Sequence, residues 1–176
     1  NTATLLKAVS YKGFVADWVS YRGTGPGKGE FIVDPVKGEL GSYDAIRVYL
    51  WAGITPSKDP LARPILKSLD GMRKATVAHG APPEKVQVTT GQSNGDGPWG
   101  FSAALLPYLD ALGEDAEGDR QAQRVQTFMA QSLTPDAVKA AQPPYYHFVL
   151  GLFALGYMDQ RYHFLDDGKL QTFWEK

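Results

Sequence analysis

Asp44 and Arg47 are the two charged residues of a mostly apolar stretch, residues 41–52. They are three residues apart, so on a helix they share one face and can form an ion pair. A helix that is apolar on all sides is a buried one, and a buried carboxylate needs a partner or hydrogen bonds. The pattern predicts a carboxylate kept ionised at the wall of a cavity, which is what a general base needs. Local sequence by itself favours a simpler alternative, an ion pair that only supports the helix.

The neighbours of Asp44 fit the same prediction. Ser42 is a candidate N-cap, which would place Asp44 in the first helical turn, where the helix dipole favours the ionised form. Arg47 would keep that carboxylate ionised and oriented, because a guanidinium stays charged; alternatively, Arg47 faces another carboxylate. Tyr43 could hydrogen-bond the water that a general base activates, or it could simply pack at the start of the helix.

Five segments carry a resemblance that extends well beyond this pair. In chain order they are residues 12–18 (KGFVADW), 42–51 (SYDAIRVYLW), 82–86 (PPEKV), 97–104 (GPWGFSAA) and 145–153 (YYHFVLGLF). Together they resemble, in the same order, segments of glycoside hydrolase family 8. The resemblance runs from about residue 10 to the C-terminus.

The resemblance implies a fold. Family members are (α/α)6 barrels, helical toroids that are roughly twice as long as this chain. We therefore expect an all-α fold, the C-terminal half of such a barrel, with short β-strands in the connecting loops. Residues 1–176 would be the C-terminal portion of a single catalytic domain, whose N-terminal half is absent from this chain.

The resemblance also implies a reaction. Such enzymes hydrolyse internal β-1,4-glucosidic bonds of cellulose or soluble glucans with inversion, and the members that this chain resembles act in bacterial cellulose biosynthesis, in the periplasm or as secreted proteins. By this resemblance Asp44 is the general base, Arg47 orients it and keeps it ionised, and Tyr43 contacts the substrate. The general acid, a Glu, belongs to the absent N-terminal half, so no Glu of this chain is assigned that role.

Four further aromatic residues are candidates for substrate binding, because sugar rings stack on aromatic faces. Trp18 lies in a loop before the helix of Asp44, and Tyr145 and Tyr146 open a later apolar helix. Trp99 precedes another apolar helix. Each ring could instead be a hydrophobic plug or a core residue, which is the commoner use of aromatic side chains in an ordinary domain.

Hydrophobic spacing predicts the elements that must position these residues. Apolar helices are predicted at 42–53, 101–112 and 145–161, amphipathic ones at 59–79 and 115–131, and shorter ones at 2–11 and 135–141. Strands are predicted at 31–33, at 86–88 and within the tail 164–174, and a turn-rich loop at 91–98. Buried helices alternating with amphipathic ones are typical of the inner and outer layers of a barrel, although a layered α domain gives the same pattern.

The composition of the chain limits the classes of partner that it could bind. The formal net charge is −1, so no basic excess indicates nucleic acid or an anionic membrane, and there is no Cys for disulfides or thiol chemistry. No apolar run is long enough to span a bilayer. The three His residues lack ligand spacing, so we predict no catalytic metal, and the family resemblance implies no cofactor. The glycine-rich residues 23–29 lack the spacing of a phosphate-binding loop, and we expect a flexible loop over the groove.

Half a barrel would leave one face of helices 42–53 and 145–161 without a partner. Exposed apolar surface on that scale indicates docking, so we expect the complementary N-terminal half of the same enzyme, or a swapped copy of this chain. The alternative function is a non-catalytic glucan-binding or structural half-barrel that needs a complementary chain. A lyase on a helical toroid is a weaker alternative, because the sequence lacks the basic signature of a uronate-binding groove.

Overall fold

The computed structural model describes residues 2–142 and 144–173. In this part of the chain there are eight helices and seven short strands, so the fold is mainly helical, as expected. The helices are α1 (Thr2–Val9), α2 (Ile46–Ile54), α3 (Ala62–Ser68), α4 (Asp70–His79), α5 (Trp99–Leu112), α6 (Asp115–Ser132), α7 (Pro135–Ala140) and α8 (Tyr145–Met158).

The strands of the described residues form small antiparallel sheets in the connections between helices. They are β1 (Val19–Gly23) with β2 (Gly29–Val33), β3 (Leu40–Gly41) with β4 (Pro83–Gln87) and β5 (Gln92–Asp96), and β6 (Tyr162–Phe164) with β7 (Leu170–Thr172). The glycine-rich residues 23–29 include the tip of the β1–β2 hairpin. The predicted tail extends to Trp174, which lies outside the described residues.

Three apolar helices form an inner layer. α5 packs against α2 and α8 and also against α6. Most of α5 is buried, including Phe101, Leu105 and Tyr108, because its sequence carries no charge before Asp110. α4 and α6 instead expose charged residues on one face, as outer helices do. The predicted alternation of inner and outer helices is confirmed, and it is that of half an (α/α)6 barrel.

Glycine residues set how closely the inner helices approach each other. A Cβ atom at Gly53 of α2 would lie 2.3 Å from the backbone nitrogen of Tyr108 in α5. A Cβ atom at Gly100 of α5 would lie 2.7 Å from the Cα atom of His147 in α8. Both approaches are shorter than packed carbon atoms allow, so α5 contacts each neighbour backbone to backbone only because glycine occupies these positions.

The single helix predicted at 59–79 is two helices, α3 and α4, separated at Leu69. The amide of Gly71 donates to the carbonyl of Gly13 at 3.1 Å instead of continuing the helical ladder. The buried hydroxyl of Tyr108 donates to the carbonyl of Leu69 at 2.9 Å. Tertiary hydrogen bonds therefore replace helical ones at this point, and apolar spacing along the chain could not reveal them.

Residues 92–96 are also corrected, from turn-rich loop to strand β5. Their sequence is polar and contains Gly, a composition typical of loops. They nevertheless pair with β4, with Lys85 opposite Asn94 and Gln87 opposite Gln92. Cross-strand pairing overrides local preference here. Within the described residues, no helix has the length and hydropathy needed to cross a membrane.

Candidate active site

Asp44 lies in a turn, residues 42–45, that leads into α2. The helix starts after this turn, not at residue 42 as predicted. The carboxylate oxygen Oδ1 of Asp17 accepts three backbone N–H groups from the turn, those of Ser42 at 2.8 Å, Asp44 at 3.0 Å and Ala45 at 2.7 Å. Asp17 therefore satisfies the amides that precede a helix, which is the task of an N-cap side chain.

The prediction that Ser42 caps the helix is wrong. Its buried hydroxyl donates to the backbone carbonyl of Glu84 in β4 at 2.6 Å, which ties the turn to the β3–β4–β5 sheet. The carbonyl of Ser42 accepts the amide of Ile46 at 3.0 Å. The turn is thus fixed at its beginning to a sheet and at its end to the first residue of α2.

Helix α8 holds the same turn through Tyr146, whose hydroxyl donates to the carbonyl of Tyr43. Burial is the main cause that raises the pKa of Tyr146 above its ordinary value of 10.0. The charges of Arg47, Asp44 and Asp17 also act on this pKa, and Arg47 opposes the rise. The hydroxyl is therefore protonated at neutral pH, able to donate, and it lies among the charged groups of the site.

Asp44 and Arg47 form the predicted ion pair, with 2.5 Å between Arg47 Nη2 and Asp44 Oδ1. The Nε atom of Arg47 also donates to the carbonyl of Asp44 at 3.3 Å. The prediction of a buried carboxylate is corrected for this chain, because the side chains of Asp44 and Arg47 are 47% and 50% exposed. The reason is that α2 begins only after Asp44, so the carboxylate belongs to an open turn and not to the packed flank of a helix.

This arrangement can perform general-base chemistry. Arg47 holds one carboxylate oxygen of Asp44. Among the described residues, the other oxygen, Oδ2, has no hydrogen-bond donor from the protein. An ionised carboxylate with a free oxygen can accept a proton from a water molecule, and the exposure of Asp44 gives water access to it.

Tyr43 lies next to this carboxylate in a cluster of aromatic rings. Its ring centroid is 4.9 Å from that of Phe101 and 5.8 Å from that of Tyr146. Its hydroxyl is 3.5 Å from Oε1 of Glu84. Burial, followed by the charge of Glu84, raises the pKa of Tyr43. Tyr43 is therefore protonated at neutral pH, and its side chain is 40% exposed, so it can reach a bound molecule.

Two of the predicted stacking residues have accessible rings. Trp18 follows Asp17 directly in the chain and is 54% exposed, with the Nζ atom of Lys37 at 5.8 Å from the ring centre. Tyr145 is the first residue of α8 and is 81% exposed. Neither is held away from solvent, so both stay candidates for substrate contact.

The prediction for Trp99 is corrected. Trp99 is the first residue of α5, is 5% exposed, and packs edge-on against Phe148 at 4.9 Å and His147 at 5.9 Å between ring centroids. A ring covered to this extent has no face on which a sugar can stack. The helix starts at Trp99 and not at 101 as predicted, so the residue packs against α8 and does not lie in a loop at the mouth of a groove.

His147 belongs to the same inner packing. Its pKa is lowered from 6.5 by burial, so the ring is uncharged at neutral pH. Its Nδ1 atom and the Nε1 atom of Trp99 are buried without a hydrogen-bond partner in the described part of the chain. Among the described residues, no three His, Cys, Asp or Glu side chains gather in a way that could hold a metal ion.

Sequence reasoning missed Asp17 and Glu84 as residues of this site. Asp is a common capping residue, but the amides that Asp17 holds begin 25 residues along the chain, and no local pattern pairs positions so far apart. Glu84 reaches Tyr43 over 41 residues for the same reason. Both lie within segments that carry the family resemblance, and that was the one signal available for them.

Comparison with known proteins gives a family match over most of the chain. The model of the family described as glycosyl hydrolases family 8 matches residues 2–160. A protein named endoglucanase from Pseudomonas fluorescens (strain SBW25) is 48% identical over 168 residues, covering 93% of this chain and 42% of the relative. Another endoglucanase, from Xanthomonas axonopodis pv. citri (strain 306), is 42% identical over 174 residues, covering 99% of this chain and 42% of the relative.

A solved structure has the same fold. The crystal structure of an endo-1,4-D-glucanase from Vibrio fischeri ES114 matches with a TM-score of 0.84 and 32% sequence identity. The match covers 99% of this chain and 47% of the Vibrio chain. The chain therefore spans less than half the length of the relatives and of the solved structure that it matches.

Proposed function

The chain belongs to glycosyl hydrolase family 8, and on that premise we propose that it supplies the general base of an inverting endo-β-1,4-glucanase. The observation that carries the proposal is the Asp44–Arg47 pair, presented to solvent by a turn that three elements hold in place. The substrate class follows from the relatives, which are named endoglucanase or endo-1,4-D-glucanase. Residues 1–176 then form the C-terminal portion of one catalytic domain.

In the proposed reaction Asp44 removes a proton from a water molecule. The water oxygen bonds to the anomeric carbon on the face opposite the leaving group, while a carboxylic acid protonates the departing glycosidic oxygen. In inverting enzymes the two carboxyl groups are about 6.5–9.5 Å apart, which leaves room for the water. The acid, a Glu, would come from the half of the barrel that this chain does not contain.

The other residues of the site take supporting roles in this proposal. Arg47 orients the carboxylate and stabilises its charge. Tyr43, a protonated donor beside it, contacts a sugar hydroxyl or the water. Trp18 and Tyr145 offer exposed rings for stacking on sugar faces. Following the resemblance noted in the sequence, we place the reaction in bacterial cellulose biosynthesis, in the periplasm or outside the cell.

The partner that we propose is the remaining half of the same barrel. Trp51 of α2 and Leu152 and Phe153 of α8 are 45%, 72% and 41% exposed, and the rings of Trp51 and Phe153 pack edge to face at 5.7 Å. We call these three residues the α2–α8 apolar face. Apolar surface of this kind on inner helices is typical of a docking face. This chain covers 47% of the Vibrio chain, so the remaining part of such a barrel is long enough to cover the α2–α8 apolar face.

The test is Asp44→Asn in the complete enzyme, meaning this chain together with the other half of the barrel. Asn keeps the size of Asp but cannot accept the proton. We expect turnover, followed by the viscosity of carboxymethylcellulose, to be lost, while oligosaccharide binding by calorimetry persists. Turnover near that of the wild type would remove Asp44 from the mechanism.

Asp70→Asn is the matched control. Asp70 pairs with Arg73 at the same spacing, with 2.6 Å between Oδ1 and Nε, but it lies on the outer helix α4. Its loss should leave turnover intact. If Asp44→Asn is fully active and the chain still binds glucan, the alternative stands, namely a non-catalytic half-barrel. The α2–α8 apolar face fits both functions, because each needs a complementary chain.

A further inference from the structure

Among the described residues, the side chain of Asp17 makes its hydrogen bonds to the turn that carries the candidate base. Its Oδ1 atom accepts the amides of Ser42, Asp44 and Ala45. Its own amide donates to the carbonyl of Leu40 at 2.8 Å, just before that turn. Asp17 therefore holds the chain at Leu40, just before the turn, and at three amides within residues 42–45.

The backbone groups of the turn are satisfied by few partners. Tyr146 donates to the carbonyl of Tyr43, while Arg47 donates to the carbonyl of Asp44. Without Asp17, three neighbouring N–H groups would lose their acceptor together. Such amides cost free energy unless they are paired, so the turn would rearrange to find water or other acceptors.

A rearrangement of this turn would move the carboxylate of Asp44. The turn precedes α2 and is joined to it through the carbonyls of Ser42 and Ala45, so the helix alone does not hold the amides of the turn. Reaction rates depend steeply on where a catalytic group is held, and a displacement of about 1 Å can cost roughly 100-fold. Val15, just before Asp17, and Gly41, just before the turn, are buried. The backbone that carries Asp17 is therefore held in place by packing.

We propose that Asp17 is a positioning residue for the general base, acting through the backbone amides of residues 42–45 and not through contact with substrate. This inference rests on the proposed function. Tyr146 performs the complementary task at the carbonyl of Tyr43. We propose this positioning role for its hydroxyl, beside the substrate contact that the sequence predicts for Tyr146.

The first experiment is Asp17→Ala in the complete enzyme, with kcat and KM measured separately at a temperature at which the variant is folded. We expect kcat to fall roughly 10- to 100-fold and KM to change much less, because the base is misplaced while the stacking rings of Trp18 and Tyr145 lie outside the turn. Asp17→Asn keeps an oxygen acceptor for the amides, so it should recover most of the lost kcat.

Asp59→Ala is the matched control. Asp59 is another loop Asp that caps a backbone amide, that of Leu61 at 2.8 Å, at the start of α3, and it is exposed whereas Asp17 is half-buried. Its loss should leave kcat unchanged. An unchanged kcat in Asp17→Ala, an effect on KM alone, or an equal loss of kcat in Asp59→Ala would each overturn the proposal.

Tyr146→Phe tests the same inference without depending on whether Asp17→Ala folds. Phe keeps the ring and loses only the hydroxyl that holds the carbonyl of Tyr43. We expect a lower kcat with an unchanged KM. A raised KM with an unchanged kcat would make Tyr146 a substrate contact and would overturn its positioning role.

Asp44→Asn distinguishes a failure of the proposed function from a failure of this inference. A fully active Asp44→Asn refutes the assignment of the general base. An inactive Asp44→Asn beside a fully active Asp17→Ala refutes only the positioning role of Asp17.

Discussion

The exposure of the Asp44–Arg47 pair separates its effect on catalysis from its effect on stability. Ion pairs at this level of exposure contribute about 0–1 kcal/mol to folding, because water and salt screen them. A catalytic carboxylate, by contrast, depends on its partner for orientation and charge. Arg47 is therefore expected to matter for turnover far more than for the fold.

The prediction at this scale is that Arg47→Ala lowers turnover strongly but lowers the free energy of unfolding of this chain by at most about 1 kcal/mol. The reason is that the half-exposed carboxylate of Asp44 is solvated after its partner is lost. Urea unfolding of the chain and viscosity assays of the complete enzyme measure the two effects.

Arg73→Ala is the control with the opposite expected profile. Arg73 is 26% exposed and pairs with both Asp70 at 2.6 Å and Glu114 at 2.9 Å, which joins α4 to the loop before α6. Its removal should cost more stability and little turnover. If Arg47→Ala unfolds the chain as readily as Arg73→Ala does, the Asp44–Arg47 pair is structural.

Individual residues show what the sequence could and could not predict. The Asp44–Arg47 pair was predictable, because residues three apart on a helical turn meet whatever the surroundings are. The exposure of that pair was not, because it depends on where α2 begins, and Asp17 determines that through hydrogen bonds over 25 residues. Trp99 was misplaced for a similar reason, since the covering helix α8 is distant in sequence.

At the scale of elements, glycine determines how α2 and α5 pack. Gly53 faces the backbone of Pro107 and Tyr108 so closely that a Cβ atom there would lie within 2.3 Å of a backbone nitrogen. Rotation of a side chain cannot relieve this contact, because the atoms of Pro107 and Tyr108 that face Gly53 belong to the backbone. The position of α2, and with it the turn that carries Asp44, depends on this contact.

Gly53→Ala is therefore expected to destabilise the chain by about 1–3 kcal/mol, the usual cost of overpacking. Gly118 of α6 is the control, because a Cβ atom there meets nothing within 4 Å. Gly118→Ala should stabilise the chain by up to about 1 kcal/mol through helix propensity. The same chemical change is thus expected to have opposite signs at the two positions, which thermal unfolding can measure. A neutral Gly53→Ala would contradict the close packing of α2 on α5.

The elements were more predictable than their boundaries. Inner and outer helices could be told apart because burial on all sides and burial on one side leave different patterns. The break at Leu69 could not be predicted, because it depends on Gly13, a partner that is remote in sequence. The strand β5 was missed for another reason, since its polar, Gly-containing sequence resembles a loop although it pairs with the adjacent strand β4.

At the scale of the whole molecule, the inner helices bury apolar side chains on one side and expose apolar side chains to solvent on the other. α8 carries no charged residue, yet Leu152 is 72% exposed. An exposed helix normally carries charge on its outer face. This pattern supports the proposal that the other half of the barrel covers α8, and the chain covers 47% of the Vibrio structure.

The last prediction concerns this face. Leu152→Glu should lower the thermal stability and the activity of the complete enzyme, because assembly with the other half of the barrel would bury an unpaired carboxylate, which is costly. In this chain alone the same change should be nearly neutral for folding, since residue 152 faces water. Leu133→Glu is the control: Leu133 is 53% exposed beyond the end of α6, on the outer layer, so its change should be neutral in both settings. A complete enzyme that tolerates Leu152→Glu as well as Leu133→Glu would show that the α2–α8 apolar face is not where the two halves of the barrel meet.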